Sequence, residues 1–250
     1  MMPQFYQTFL QSQFSARQFL LLHALLLLVT QYRTLQIERL AQHLCLPGLA
    51  ESRRRALQRF LLLPQLTMDK LWFPLVRQLL GNFFPTNQIL YLAMDRTDWR
   101  FNNLLVISLV WQQHALPLYF IFMPTLGSSS LAQQLEVIQA IQPLIKGYQT
   151  ILLADREFCS VQLGNWLREQ GLGFCLRLRS NTYTQKDKEQ AVALNKLGIK
   201  PGTSLFLNGV KVTKQKGFGE FNIACKWKRK YRKEVPGEGW YILTSLDNLN

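Results

Sequence analysis

The chain opens on apolar positions at helical spacing. From Phe14 to about Leu80, Leu-rich stretches alternate with Ala and Gln and are interrupted at Pro47-Gly48 and Pro64. This pattern predicts a helical N-terminal region broken at those points. The most apolar run, Phe19 to Val29, has eleven residues and contains His23. A membrane span needs about 20 apolar residues, so the run is expected to be a buried helix and no membrane partner is expected. Nothing before Arg17 is basic and no small-residue cleavage site follows, so no secretory signal is indicated. Ile37 to Leu44 and Glu51 to Phe60 read as two short helices around a tight turn that holds Pro47 and Gly48.

After Pro85 the texture turns to β-prone apolar runs. Gln88 to Asp95, Leu104 to Trp111 and Leu116 to Met123 predict three consecutive strands. Ser129 to Lys146 carries Leu131, Leu135, Ile138, Ile141 and Ile145 at helical spacing, and Gln149 to Asp155 is a continuous apolar strand. Val161 to Gln170 predicts a second helix closed by Gly171, and Phe174 to Leu178 a fifth strand. From Ser180 to Gly239 the apolar signal thins, and thirteen Lys or Arg face five acids. This region reads as a polar insertion with short strands at Ser204 to Leu207, Val210 to Thr213 and Phe221 to Lys226, and turn residues at Gly217 and Gly219. Trp240 to Leu246 then resumes a core strand, with Trp240 expected in the core. The expected division is therefore 1–84, 85–179, 180–238 and 239–250.

Composition adds a sign to this picture. The chain is 48% hydrophobic and 18% charged, which suits a folded globular protein with a sizeable core. Its formal charge is +14, which makes a polyanion the first partner to test. The cysteines at 45, 159, 175 and 225 share no CxxC or CxxH spacing, so no zinc site or disulfide framework is suggested, and a reducing, cytoplasmic setting is expected.

Two motifs carry candidate chemistry. Tyr91-Leu-Ala-Met-Asp95-Arg-Thr-Asp98-Trp99 is an apolar strand ending in carboxylates, and Ile151-Leu-Leu-Ala-Asp155-Arg-Glu157-Phe158 repeats the design sixty positions later. In a β1β2β3αβ4 arrangement the first and fourth strands run parallel and adjacent, about 4.8 Å apart. Asp95 and Asp155 would then stand at matching strand ends, close enough to share a divalent cation. Hard oxygen ligands around an open position suit Mg²⁺ or Mn²⁺ and phosphoryl transfer. The plainer alternative is that each Asp caps its strand-to-loop turn or pairs with the adjacent Arg.

These motifs, with the helix and strand texture between them, resemble the IS4-type DDE transposases of bacterial insertion sequences, from roughly Glu51 onward. The resemblance implies an RNase H-like catalytic core: a mixed sheet with flanking helices and a β-rich insertion, preceded by the helical region. It implies that Asp95 and Asp155 are catalytic metal ligands for Mg²⁺ or Mn²⁺. Family members often have Asn at the position of Asp98, so no ligand role is carried over to it. The implied activity is cleavage and strand transfer of phosphodiesters at element ends, with DNA as partner and a homodimer in a synaptic complex as the assembly.

One part of the family pattern is missing. The family's third acid is a Glu on a helix after the insertion, within Tyr-x2-Arg-x3-Glu-x6-Lys, and no Tyr here has Arg three residues later. Tyr231-Arg-Lys-Glu234 has the wrong spacing, and Pro236 would disrupt a helix there. The third ligand is expected beyond Asn250, by truncation, and the chain alone is expected to be inactive. The alternative is a non-catalytic DNA-binding remnant that occupies element ends or inhibits the full-length enzyme.

Two basic clusters are candidate DNA contacts. Arg53, Arg54, Arg55 and Arg59 lie on the second of the short helices, as in helix-turn-helix modules; a solvated helix face is the competing reading. Lys226, Trp227, Lys228, Arg229, Lys230, Tyr231, Arg232 and Lys233 interleave cations with aromatics, which suits phosphates and stacked bases. A solvated basic hairpin is the alternative there. His23, His43 and His114 are isolated and read as packed or surface residues.

Overall fold

The computed structural model describes residues 3–99, 102–124, 127–186, 190–212, 219–228 and 239–247; side chains at 98 and 99 are not described. The chain divides into two units, Met1–Pro85 and Thr86–Asn250.

The first unit is helical: α1 (Gln4–Gln13), α2 (Ala16–Tyr32), α3 (Ile37–His43), α4 (Ala50–Leu61) and α5 (Phe73–Phe83). Ser15 starts α2 with a capping box, its hydroxyl accepting from the Gln18 amide while the Gln18 side chain accepts from the Ser15 amide. The turn between α3 and α4 uses Gly48 at φ 99°, a left-handed conformation that a side chain would oppose. Leu28, Leu40, Ala41, Leu44 and Leu57 form one core shared by α2, α3 and α4. Leu10, Phe14 and Phe60 form a second. The run Phe19 to Val29 is helical as expected, but its burial is not: Leu20 is 69% and Leu27 61% exposed, while Leu28 is buried. A helix that is apolar all round meets its neighbours with one stripe, and small helices cannot cover the remainder.

The second unit is an α/β fold. Its elements are β1 (Leu90–Trp99), β2 (Asn102–Trp111), β3 (His114–Met123), α6 (Leu131–Ile145), β4 (Thr150–Ala154), α7 (Val161–Glu169), β5 (Gly173–Arg177), β6 (Tyr183–Gln185), β7 (Val192–Ala193), β8 (Ser204–Val212), β9 (Gly219–Lys226) and β10 (Trp240–Thr244). They build one mixed sheet in the order β3-β2-β1-β4-β5-β10-β9-β8-β6-β7. β1, β2 and β3 form an antiparallel meander, and β4 and β5 run parallel to β1. The polar region after Ser180 thus extends the same sheet, joined through β9 and β10.

Alternation decides which face is covered. Leu90, Leu92, Met94, Leu152, Phe174 and Leu176 are buried with Val137, Ile138 and Ile141 of α6 and Leu163 and Leu167 of α7. Residues of opposite parity, such as Ala93, Leu153 and Arg177, lie on the other face. Two expectations are corrected in this region. Ser204 to Leu207 and Val210 to Val212 belong to a single strand, β8, whose register shifts between Leu207 and Val210, while Thr213 and Gly217 lie outside the described residues. Gly219 is a buried strand residue rather than a turn: a Cβ there would meet the Phe221 ring, so the absent side chain makes room for an aromatic packed under α7.

Candidate active site

The strand pairing places the two aspartates of the sequence motifs side by side. β1 and β4 are parallel, with Met94 opposite Ala154 as the last pair. One step further along stand Asp95, within β1, which runs on to Trp99 beside β2 and so does not end at Asp95 as expected, and Asp155, the first residue beyond β4; neighbouring strands are ordinarily about 4.8 Å apart. Both are exposed and belong to the uncovered parity. The register runs on across the sheet, from Ala154 opposite Leu176 to Arg177 opposite Ile242, Ile242 opposite Ala224, and Ala224 opposite Phe206. Asp95, Asp155, Arg177, Ile242, Ala224 and Phe206 all line one open groove of about 890 Å³ on this face.

Local bonding fixes each carboxylate. Asp95 Oδ1 accepts the Arg96 amide at 2.8 Å, and Asp155 Oδ1 accepts the Arg156 amide at 2.7 Å. Asp155 therefore also caps its strand-to-loop turn, whereas Asp95 lies within β1. Phe158, buried, donates its amide to the Asp155 carbonyl at 3.0 Å, which anchors the turn after β4. The adjacent Arg96 pairs with Glu157 instead, Nε to Oε1 at 2.9 Å, with both side chains about a quarter exposed. This bridge ties the middle of β1 to the turn that follows β4.

Sequence reasoning missed Arg177. Its Nη1 lies 3.5 Å from Asp155 Oδ1, and its guanidinium stacks over Trp240 at 4.5 Å from the ring centroid. The available signal was parity: a charged residue in an otherwise apolar strand, one register step from Asp155, marks an open face. Trp240 itself is corrected. It is 56% exposed and lines the groove, because β10 alternates and its first residue falls on the uncovered side.

Two carboxylates of hard oxygen on one exposed face fit a single divalent cation whose remaining positions are water. Among the described residues, no group of three His, Cys, Asp or Glu side chains comes together. Asp98's side chain is not described. Burial pushes the thiols of Cys159 and Cys225 up, to about 12 and about 11, which disfavours the thiolate.

The basic clusters are distributed differently. Arg53 is partly buried and donates Nη1 to the Leu44 carbonyl at 2.8 Å, closing the end of α3. Arg54 and Arg55 both pair with Glu51, at 2.8 Å and 3.1 Å. These bonds pull the Glu51 carboxyl down to about 2. Arg59 is exposed and lines a groove with Ser52, Arg55, Gln58 and Leu62. In the second cluster, Lys226 and Lys228 are exposed. Trp227 is half-buried, its amide donating to the Thr203 carbonyl and its own carbonyl accepting from Gly202. Arg229, Lys230, Arg232 and Lys233 lie outside the described residues.

No single described helix is long and apolar enough to cross a membrane; α2 and α3 pass that test only as a pair bent by 106°. No protein-family model matches the chain, and no curated protein matches its sequence. Among solved structures, the chain is similar to the piggyBac transposase in its synaptic complex with hairpin DNA, with 17% identity and a TM-score of 0.43, over 79% of this chain and 41% of that one. It is also similar to Marinitoga piezophila Argonaute in complex with 5′ OH guide RNA and target DNA, with 14% identity and a TM-score of 0.30, over 71% of this chain and 27% of that one. The chain spans less than half the length of either.

Proposed function

We propose that the chain carries the phosphoryl-transfer core of a DDE transposase of the IS4 type, with DNA as its substrate and Mg²⁺ or Mn²⁺ as its cofactor. The observation that carries this reading is the parallel register that sets Asp95 beside Asp155 on an open face. When bound there, the cation would activate an attacking oxygen and stabilise the leaving one. The chain's own residues supply the rest. Asp95 and Asp155 hold the cation, the amides of Arg96 and Arg156 orient the two carboxylates, and the Arg96–Glu157 bridge ties β1 to the turn after β4. Arg177 neutralises Asp155 and so weakens its hold on a cation. With two carboxylates in place, turnover by this chain is slow. The net charge of +14 brings the phosphate backbone to it.

A second reading, a DNA-binding chain without catalysis, is favoured because no third His, Cys, Asp or Glu joins the pair in a metal-holding group among the described residues, although Asp247 lines the same groove. One experiment separates the two: nicking of supercoiled duplex by the full chain with Mn²⁺, beside Asp95→Ala and Asp155→Ala. Slow nicking that vanishes in both variants supports the catalytic reading. DNA binding with Mn²⁺ uptake but no nicking identifies the second. Nicking that survives in both variants contradicts the assignment of the aspartates.

A further inference from the structure

Arg177 is held from two sides, and the two contacts differ in kind. Its guanidinium lies over the face of the Trp240 ring, 4.5 Å from the centroid, and its Nη1 stands 3.5 Å from Asp155 Oδ1. That second distance is longer than the about 2.7 to 2.9 Å of a charge-assisted hydrogen bond. Asp155 Oδ1 already accepts the Arg156 amide at 2.7 Å. The neighbouring Arg96–Glu157 pair, closed at 2.9 Å, makes the contrast within the same fold. Exposure divides the same way: the Asp155 side chain is 57% exposed and the Arg177 side chain 20%. The carboxylate is open to the groove, while the guanidinium rests against a ring.

We infer that Arg177 is a positioning residue that makes cation binding and nucleic-acid binding depend on each other, by exchanging Asp155 for a backbone phosphate. The inference rests on the Asp95–Asp155 cation site proposed above. Without DNA, the guanidinium sits beside Asp155. A divalent cation on the same carboxylate would then stand next to a fixed positive charge, and one carboxylate does not offset both. A phosphate entering the groove offers the arginine fork a bidentate partner, a better match than a single carboxylate oxygen at 3.5 Å. The guanidinium leaves Asp155, stays on Trp240, and frees the carboxylate for the cation. By linkage, the cation equally frees Arg177 for the phosphate. Two features favour a phosphate as the incoming group. Lys226 stands opposite Trp240 in the β9–β10 register and is exposed, which gives this face a second cation beside the stack. The +14 charge of the chain concentrates polyanions around it.

The first measurement is Mn²⁺ binding to the full chain without DNA, followed by electron paramagnetic resonance of the free ion. Arg177→Met and Arg177→Gln remove the charge and should each tighten binding by about 5- to 150-fold. Arg177→Lys should restore the weak binding of the parent. Arg179→Met, a matched loss of charge two residues on, should stay within about twofold of the parent. The second measurement is the anisotropy of a labelled duplex at fixed ionic strength, with and without Mn²⁺. The gain in affinity that Mn²⁺ gives the parent should shrink by about fivefold or more in Arg177→Met. Trp240→Ala should shrink it by about 2- to 5-fold, and Trp240→Phe should retain it. The inference is overturned if Arg177→Met and Arg177→Gln bind Mn²⁺ no more tightly than the parent, or if both keep the parent's full gain. Asp155-dependent uptake that neither Arg177 variant changes defeats this inference alone. Uptake that Asp155→Ala leaves intact defeats the proposed cation site as well.

Discussion

Asp95 and Asp155 are sixty positions apart in the chain and adjacent in space, whereas Arg53, Arg54 and Arg55 are contiguous in the chain and divided among different tasks. The difference is one of period. Two parallel strands in register bring every second residue onto the same face, so matching positions in two apolar runs must meet. A helix turns 100° per residue, so three consecutive arginines point in three directions, and their surroundings decide what each one does. A motif repeated on parallel strands is therefore a stronger sign of a composite site than a run of like charges on a helix.

The largest expected effect comes from disturbing the register. Leu92 is buried between Leu109 of β2 and Leu152 of β4, on the parity opposite Asp95. Leu92→Ala should cost about 2 to 5 kcal/mol in the larger unit, read as a lowered denaturation midpoint. A change within experimental scatter would mean that β1 is not held as described.

The arginines provide the next contrast. Arg53→Ala removes a charged hydrogen bond to the Leu44 carbonyl and should destabilise the helical unit by about 1 to 2 kcal/mol in thermal melts. Arg59→Ala should change stability by less than about 0.5 kcal/mol. If Arg53→Ala melts like the parent but flattens the salt dependence of DNA binding by about 0.9 in log–log slope, Arg53 is a phosphate contact instead.

These contrasts also show what could be read from residues alone. The strands β2 to β5, β9 and β10, both helices of the core and the α3–α4 turn were legible, because apolar alternation and Pro-Gly punctuation are local signals; β6 and β7 were not, β8 was read as two strands, and β1 runs on past Asp95 to Trp99. Trp240 was misplaced because its strand, Trp240-Tyr-Ile-Leu-Thr244, is apolar throughout, so composition does not reveal which parity is covered. Arg177, the Arg96–Glu157 bridge and the backbone role of Arg53 depend on neighbours distant in sequence, and no local pattern encodes them. The exposure of Leu20 and Leu27 was hidden for a related reason: an all-apolar helix does not say which stripe its partners will cover.

The smallest effect concerns Glu51. Its carboxyl is lowered from an ordinary value of 4.5 to about 2 by Arg54 and then Arg55. A depressed carboxylate contributes stability above its unfolded value and loses it as pH falls through the folded one. The pairs should therefore persist from neutral pH to below 4.5 and be lost as pH falls toward 2, an NMR titration being the check. Glu51→Gln should release both arginines and raise duplex affinity by about twofold at low salt, fading as salt rises. A fall in affinity would show that the carboxylate itself touches DNA.

The central claim is that Asp95 and Asp155 act on one cation. Mn²⁺ binding to the full chain, followed by electron paramagnetic resonance of the free ion, tests it in a double-mutant cycle of Asp95→Asn, Asp155→Asn and both together. A shared site predicts weak saturable binding in the parent, its loss in either single variant, and no further loss in the double variant, a strongly non-additive cycle. Binding that survives either substitution, or that falls in two independent additive steps, would contradict a shared cation.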